Sequence, residues 1–261
     1  MYPHHQRAIE RMISRFQPDP AVLALIIIGS VARGDARPES DVDCYVLVDD
    51  AAYQARRADN QLSINADDLC DYPNGQAGGR VIDLAYFQDV AARGPEPARF
   101  AFVQALPAFT RLPHLAEQLG RIAQYPEHER TEKMISFASQ LPVHLSYLEL
   151  GEYSQNPYLL AQTAVEIVLF GGRLILAHNR MLYPNRKWFL REFARAPAKP
   201  HGIIELAEQL LIHPSIAHAR AFCERILQFQ PWPQPAEGAL ARFQQDRELH
   251  WRENGVPLAD S

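Results

Sequence analysis

The sequence predicts an α+β fold, with an N-terminal domain built on a mixed β-sheet and an all-helical C-terminal domain. Three observations carry this. Residues 22–28, Val-Leu-Ala-Leu-Ile-Ile-Ile, form an apolar run of strand length between Pro20 and Gly29, the pattern of a strand buried on both faces. Residues 42–48 alternate, so that Val42, Cys44, Val46 and Val48 share one face. From about Asp89 the alternation stops and helical spacing takes over. Arg93-Gly94-Pro95-Glu96-Pro97 reads as the linker, which sets the expected domains at 1–92 and 97–261. The chain of 261 residues is long enough for two separate cores.

In order along the chain, residues 4–16 place Ile9, Met12, Ile13 and Phe16 at i, i+3, i+4 and i+7, an amphipathic helix that Pro18 and Pro20 end. His4 and His5 in it resemble a metal pair, but neighbours on a helix do not face each other, so a solvated helix start is expected. The strand at 22–28 follows, then a Gly-Ser turn, a polar loop closed by Pro38, and the alternating strand. Ala51–Ala58 reads as a short helix. Residues 59–80 are polar and glycine-rich, with Asn74-Gly75 as a turn and Gly78-Gly79 before the next strand. The acids Asp67, Asp68 and Asp71 fall in this stretch; they could be ligands, but a flexible, solvated loop is the expectation. Arg80–Phe87 reads as a strand with Asp83 flanked by apolar residues. Helices are expected near 97–106, 113–124, 127–150, 157–181, 185–195, 202–212, 215–229 and 236–252. Asn156 before Pro157, and Ser215 after Pro214, mark two of their starts. Pro142 is expected to kink or interrupt its helix.

The composition, 47% hydrophobic and 22% charged, is that of an ordinary globular protein. A net charge of −5 argues against a general nucleic-acid surface, which is basic as a rule. Cys44, Cys70 and Cys223 are odd in number and widely spaced, so neither a zinc pattern nor a disulfide framework is expected. The N-terminus lacks the apolar core of a signal peptide, and no apolar run reaches membrane-spanning length. The expectation is a soluble cytoplasmic monomer or homodimer with no membrane contact.

The chemistry-bearing stretch is Ile28-Gly29-Ser30, ten residues, then Asp41-Val42-Asp43-Cys44. Residues two apart on a strand point the same way, so the Asp41 and Asp43 side chains lie together, roughly 6–7 Å apart. Two such carboxylates repel, and a divalent cation between them removes that cost. Mg2+ suits hard carboxylate oxygens and shares its shell with substrate phosphates. The Gly29-Ser30 turn offers backbone N–H groups and a hydroxyl to an anion.

This stretch resembles the signature of the DNA polymerase β-like nucleotidyltransferase superfamily. Its longer form here, Gly29-Ser30-x-Ala32-Arg33-Gly34-x(5)-Ser40-Asp41-x-Asp43, is similar to the bacterial branch that includes aminoglycoside adenylyltransferases and minimal nucleotidyltransferases. The resemblance covers roughly residues 22–87. It implies a third carboxylate on a later strand, for which Asp83 is the candidate. It further implies Mg2+ at Asp41, Asp43 and Asp83. ATP would be the donor, held by Gly29 and Ser30, with Arg33 and Ser40 as phosphate candidates that would otherwise fix the loop.

Two features of the helical half extend this reading. Glu166 sits in the apolar stretch 158–170, where burial would raise its pKa toward the range of a general base. A pairing with Arg173 or Arg180, or a solvent-facing position, is the alternative. Arg180, Tyr183, Arg186, Lys187 and Trp188 cluster at a helix-to-helix turn, and its Tyr-Pro-x-x-Lys-Trp stretch is similar to one in helical domains of such nucleotidyltransferases. There Lys187 would reach the triphosphate. The implied activity is Mg2+-dependent transfer of AMP from ATP to a hydroxyl of a small-molecule acceptor of aminoglycoside type, seated between the domains, with Asp83 or Glu166 as the base. The alternatives are adenylylation of a protein or RNA partner, as in toxin–antitoxin pairs, and a non-catalytic nucleotide sensor.

Overall fold

The apolar run folds as β1 (Val22–Ile28), which pairs antiparallel with β2 (Val42–Val48) at the centre of a five-stranded mixed sheet. The computed structural model describes residues 1–256. Residues Met1–Gln124 form one compact unit, and a second begins at Tyr125. In the first, the strand order is β3 (Ser63–Asn65), β4 (Ala77–Ile82), β2, β1 and β5 (Leu106–Thr110). Only the β2–β4 pair is parallel.

Both faces of β1 and β2 are covered, which is why β1 is apolar throughout. On one face Leu25, Ile27, Val42, Cys44, Val46 and Val48 pack with Ala8, Ile9 and Met12 of helix α1 (Pro3–Phe16). On the other, Ala24, Ile26, Tyr45 and Leu47 meet three helices, α4 (Leu84–Arg93), α5 (Glu96–Phe100) and α6 (Leu115–Ile122), and the segment around Phe102. Burial of this kind stabilises by about 25 cal/mol per Å² of apolar surface. Short α2 (Gly29–Ala32) follows β1 directly, and α3 (Asp50–Ala58) follows β2 with Asp49 accepting from the Ala52 N–H at 2.8 Å.

Several elements differ from expectation. The strand expected over Arg80–Phe87 is instead β4 at 77–82, and residues 84–87 begin α4. Gly78 and Gly79 lie inside β4 rather than before it, because the neighbouring backbones come too close for side chains. A Cβ on Gly79 would overlap the Cys44 carbonyl of β2, and one on Gly78 the Ile64 carbonyl of β3. The segment read as a linker is a packed corner. Buried Arg99 reaches back from α5 to the carbonyls of Gly94 (3.1 Å) and Ala91 (2.8 Å). Beyond it, within the half expected to be all-helical, Leu106–Thr110 forms edge strand β5 between two expected helices, where Pro107 is tolerated.

The second unit holds α7 (Arg130–Tyr153), α8 (Pro157–His178), α9 (Phe189–Arg195), α10 (Ile203–Ile212), α11 (Ile216–Leu227), α12 (Ala239–Phe243) and α13 (Trp251–Asn254). Asn156 caps α8, accepting from the Tyr158 and Leu159 N–H groups at 3.1 and 3.2 Å, and Ser215 caps α11. Pro142 does not end its helix: α7 runs through it, held by Phe137, Leu141 and Leu148 in the core it shares with α8. The helix expected over 236–252 is broken by a π-turn at Gln244–Glu248. Contrary to expectation, α8 is long and apolar enough to cross a bilayer. Its residues Ala164, Ile167, Val168, Leu174 and Ile175 are core residues of this unit.

Gly79→Ala should destabilise the protein by about 3 kcal/mol or more, because main chain, not a yielding side chain, occupies the space. Thermal unfolding of the variant against wild type checks this.

Candidate functional site

Asp41 and Asp43 stand at the start of β2, both exposed. They share a face with Tyr45 and Leu47, which are buried further along the strand. The register pairs Asp43 with Ile28, the last residue of β1. The chain then turns at Gly29, whose φ of +73° is in the left-handed region. A Cβ there would overlap Asp43 Oδ2. The glycine therefore serves both the turn and a close approach of main chain to the carboxylate. Ser30 follows, nearly buried.

The two carboxylates line an open depression of about 240 Å3 with Asn65, Asp67, Gln76 and Gly78 on its other side. Asp67, in the 3-10 turn after β3, was read from sequence as part of a solvated loop. Its Oδ1 accepts from the Ala77 N–H and its Oδ2 from Asn65 Nδ2, both at 2.9 Å. The Asn65-x-Asp67 spacing after an alternating Leu62-x-Ile64 is the only sequence sign of it. Asp68 and Asp71 face helix α1 instead. Asp71 accepts from Arg7 (2.9 and 3.1 Å) and Arg11 (2.9 Å), and Asp68 pairs with Arg15. The hydrogen bond from Arg7 holds the Asp71 carboxyl below the usual range. His4 Nε2 lies 2.8 Å from the Pro38 carbonyl, and Tyr72 donates to the Ser40 carbonyl at 2.9 Å. His4 and His5 are thus not a solvated helix start. His4 ties α1 to the loop before Asp41, and His5 is fully buried beside Tyr72.

Asp83 does not join this group. Gly78 is the β4 residue opposite Asp43, and Ile82 lies opposite Leu47. Asp83 is five residues past Gly78, about 16 Å along the strand direction. It is buried and accepts from the Tyr86 N–H at 2.8 Å as the N-cap of α4. A carboxylate followed by apolar residues reads alike as a site acid or a helix cap, and here it is the cap. Arg33 and Ser40 fix the loop. The Arg33 side chain is buried, 3.6 Å from Asp35 Oδ2 and over the Phe100 ring. Ser40 Oγ accepts from the Arg37 N–H at 2.9 Å.

Glu166 and Lys187 belong to the second unit. Glu166 pairs with neither Arg173 nor Arg180. Its Oε1 accepts from Arg247 of the π-turn at 3.1 Å, while buried Oε2 has no hydrogen-bond partner and lies 3.9 Å from His144 Nε2. His144 stacks on Phe170. Burial, and secondarily Arg247, push its imidazole down to about 4, so at neutral pH it is uncharged. Arg180 is taken up by Glu127 at 2.8 and 2.9 Å. Lys187 is exposed, 5.3 Å from the Trp188 ring that Arg191 also covers at 4.1 Å.

The donor set at Asp41 and Asp43 fits Mg2+: two hard carboxylates on one face, with main chain seated against one of them. Among the described residues no group of three or more His, Cys, Asp or Glu could hold a metal by itself. Mg2+ characteristically takes only one or two carboxylates and completes its shell with water and phosphate.

Asp83→Ala should cost about 1 kcal/mol as a lost helix cap, with Asp83→Ser recovering most of it; thermal unfolding reads both. His144 gives a pH signature. Between pH 6.5 and about 4 the unfolded chain binds a proton that the folded one does not. Stability should therefore fall as pH falls through this window, by on the order of 3 kcal/mol in total. Denaturant unfolding at pH 7 and pH 4.5 should show a shallower loss for His144→Phe than for wild type.

The sequence model of the nucleotidyltransferase domain matches residues 6–149, more than half of the chain. No curated protein matches. Among solved structures, the chain is similar to a nucleotidyltransferase-like protein from Exiguobacterium sibiricum, at 14% identity and a TM-score of 0.45, over 98% of this chain and 83% of that one. The domain match spans the Gly29-Ser30 turn, both carboxylates and the whole sheet, and on that ground the chain belongs to the nucleotidyltransferase domain family of the polymerase β-like superfamily.

Proposed function

We propose that the protein is a Mg2+-dependent adenylyltransferase that moves AMP from ATP to a hydroxyl of a small molecule, with an aminoglycoside-type antibiotic as the acceptor class. The observation that carries this is the pair Asp41 and Asp43 at the open end of β2, with the Gly29 main chain against Asp43. Asp41 and Asp43 would hold the metal. Bound there, Mg2+ would neutralise charge developing on the phosphates and the departing pyrophosphate. Gly29 and Ser30 would orient the phosphates through N–H and hydroxyl donors.

The acceptor oxygen attacks the α-phosphorus and the bond from it to the β-bridging oxygen breaks. Pyrophosphate leaves, and the hydroxyl proton passes to a base. Asp83, committed to its cap, is set aside for that role. Glu166 of the second unit is the remaining candidate for it, its Oε1 accepting from Arg247 and its Oε2 without a hydrogen-bond partner. Lys187 is the candidate triphosphate contact that the resemblance implies. A depression lined by three carboxylates and no cation suits a cationic acceptor, which its field attracts. ATP and Mg2+ are both supplied in the cytoplasm, the proposed location.

The test is pyrophosphate release from ATP and Mg2+ against a panel of aminoglycosides and lincosamides, with an Asp41→Ala/Asp43→Ala double variant as control. Release that depends on one compound and is absent in the variant is the expected result. ATP binding without release for any compound would shift the acceptor to a protein or RNA. No binding of ATP and Mg2+ at all would overturn the reading.

A further inference from the structure

We infer that Asp67, through its negative charge, raises the affinity of the carboxylate site for a divalent cation. The inference rests on the reading of Asp41 and Asp43 as metal-holding. Asp43 of β2, Gly78 of β4 and Asn65 of β3 lie in one row across the sheet. The middle position has no side chain, so nothing stands between the wall carrying Asp41 and Asp43 and the wall carrying Asn65 and Asp67. The hydrogen bonds from the Ala77 N–H and Asn65 Nδ2 fix the Asp67 carboxylate in that wall. Each of its oxygens keeps a second lone pair. Its neighbour Asp68 is turned to Arg15 and Asp71 to Arg7 and Arg11, and no arginine or lysine lines the depression.

Asp67 stands two strands from Asp41, roughly 10 Å between backbones. Among the described residues Asp41, Asp43 and Asp67 do not form a preassembled three-acid metal group. Asp67 acts through its field. A fixed negative charge across an open depression attracts a doubly charged ion held by Asp41 and Asp43 and leaves the direct ligands unchanged.

The experiment is titration of the full chain with Mn2+ alone, followed by electron paramagnetic resonance. Asp43→Asn should abolish or strongly weaken binding. Asp67→Asn should weaken it about two- to fourfold at low ionic strength, with the difference shrinking as salt is added, and Asp68→Asn, which removes a charge already paired with Arg15, should leave it unchanged. Asp67→Asn alters the hydrogen bonds at Ala77 and Asn65, so Gln76→Glu provides the independent arm. Gln76 is exposed and lines the same depression, and only its carbonyl is engaged, by the Val42 N–H. A new carboxylate there should strengthen Mn2+ binding by a similar factor. Normal weakening in Asp43→Asn with no change in Asp67→Asn or Gln76→Glu would overturn the role of Asp67 alone. No Mn2+ binding by wild type, or equal binding by Asp43→Asn, would overturn the carboxylate-pair reading and this inference with it.

Discussion

The antiparallel pairing of β1 with β2 is the constraint on which the rest depends. It sets Ile28 opposite Asp43, so the turn that ends β1 must pass the carboxylate that opens β2. A shift of one residue would place Cys44 there and send both aspartates to the other face. That slip is opposed by both cores at once. Leu25, Ile27, Cys44 and Val46 lie in one, Ala24, Ile26, Tyr45 and Leu47 in the other. The register of two apolar strands is thus what fixes the polar end.

Around that end, polar contacts immobilise segments that have no regular structure. Arg7, Arg11 and Arg15 follow one stripe of α1 and hold the loop at 68–71. Each pair is exposed and weak by itself. Together with the His4–Pro38 and Tyr72–Ser40 contacts they restrain both approaches to Asp41. The helical unit shows the opposite arrangement: His144 is buried, Glu166 is half-buried beside it, and the π-turn aims Arg247 at a single carboxylate oxygen. Such turns recur at functional positions because an extra residue per turn re-aims the side chains that follow.

Much of this was legible in the sequence. Apolar periodicity located β1, β2, α1 and the helices of the second unit, and the Gly-Ser to Asp-x-Asp spacing located the signature. The rest was not legible, for identifiable reasons. Gly78-Gly79 reads as a turn because nothing local reports that two neighbouring strands crowd the position. Asp83 reads as a site acid because an N-cap and a ligand have the same sequence neighbours, and only the parallel register separates them. Asp67 was hidden in a polar stretch because β3 is three residues long, too short to show a period. Pro142 reads as a breaker because propensity does not see the buried face that carries α7 through it.

The row Asp43–Gly78–Asn65 leaves a depression whose floor is main chain and whose far wall is side chain. The floor cannot be remodelled by substitution, since adding even a methyl group at Gly78 or Gly79 would force strands apart. Asn65, Asp67 and Gln76 carry no such restriction. A depression divided in this way can change what it accommodates over evolutionary time by redecorating one wall, while the Gly29 turn and the carboxylate pair stay as they are.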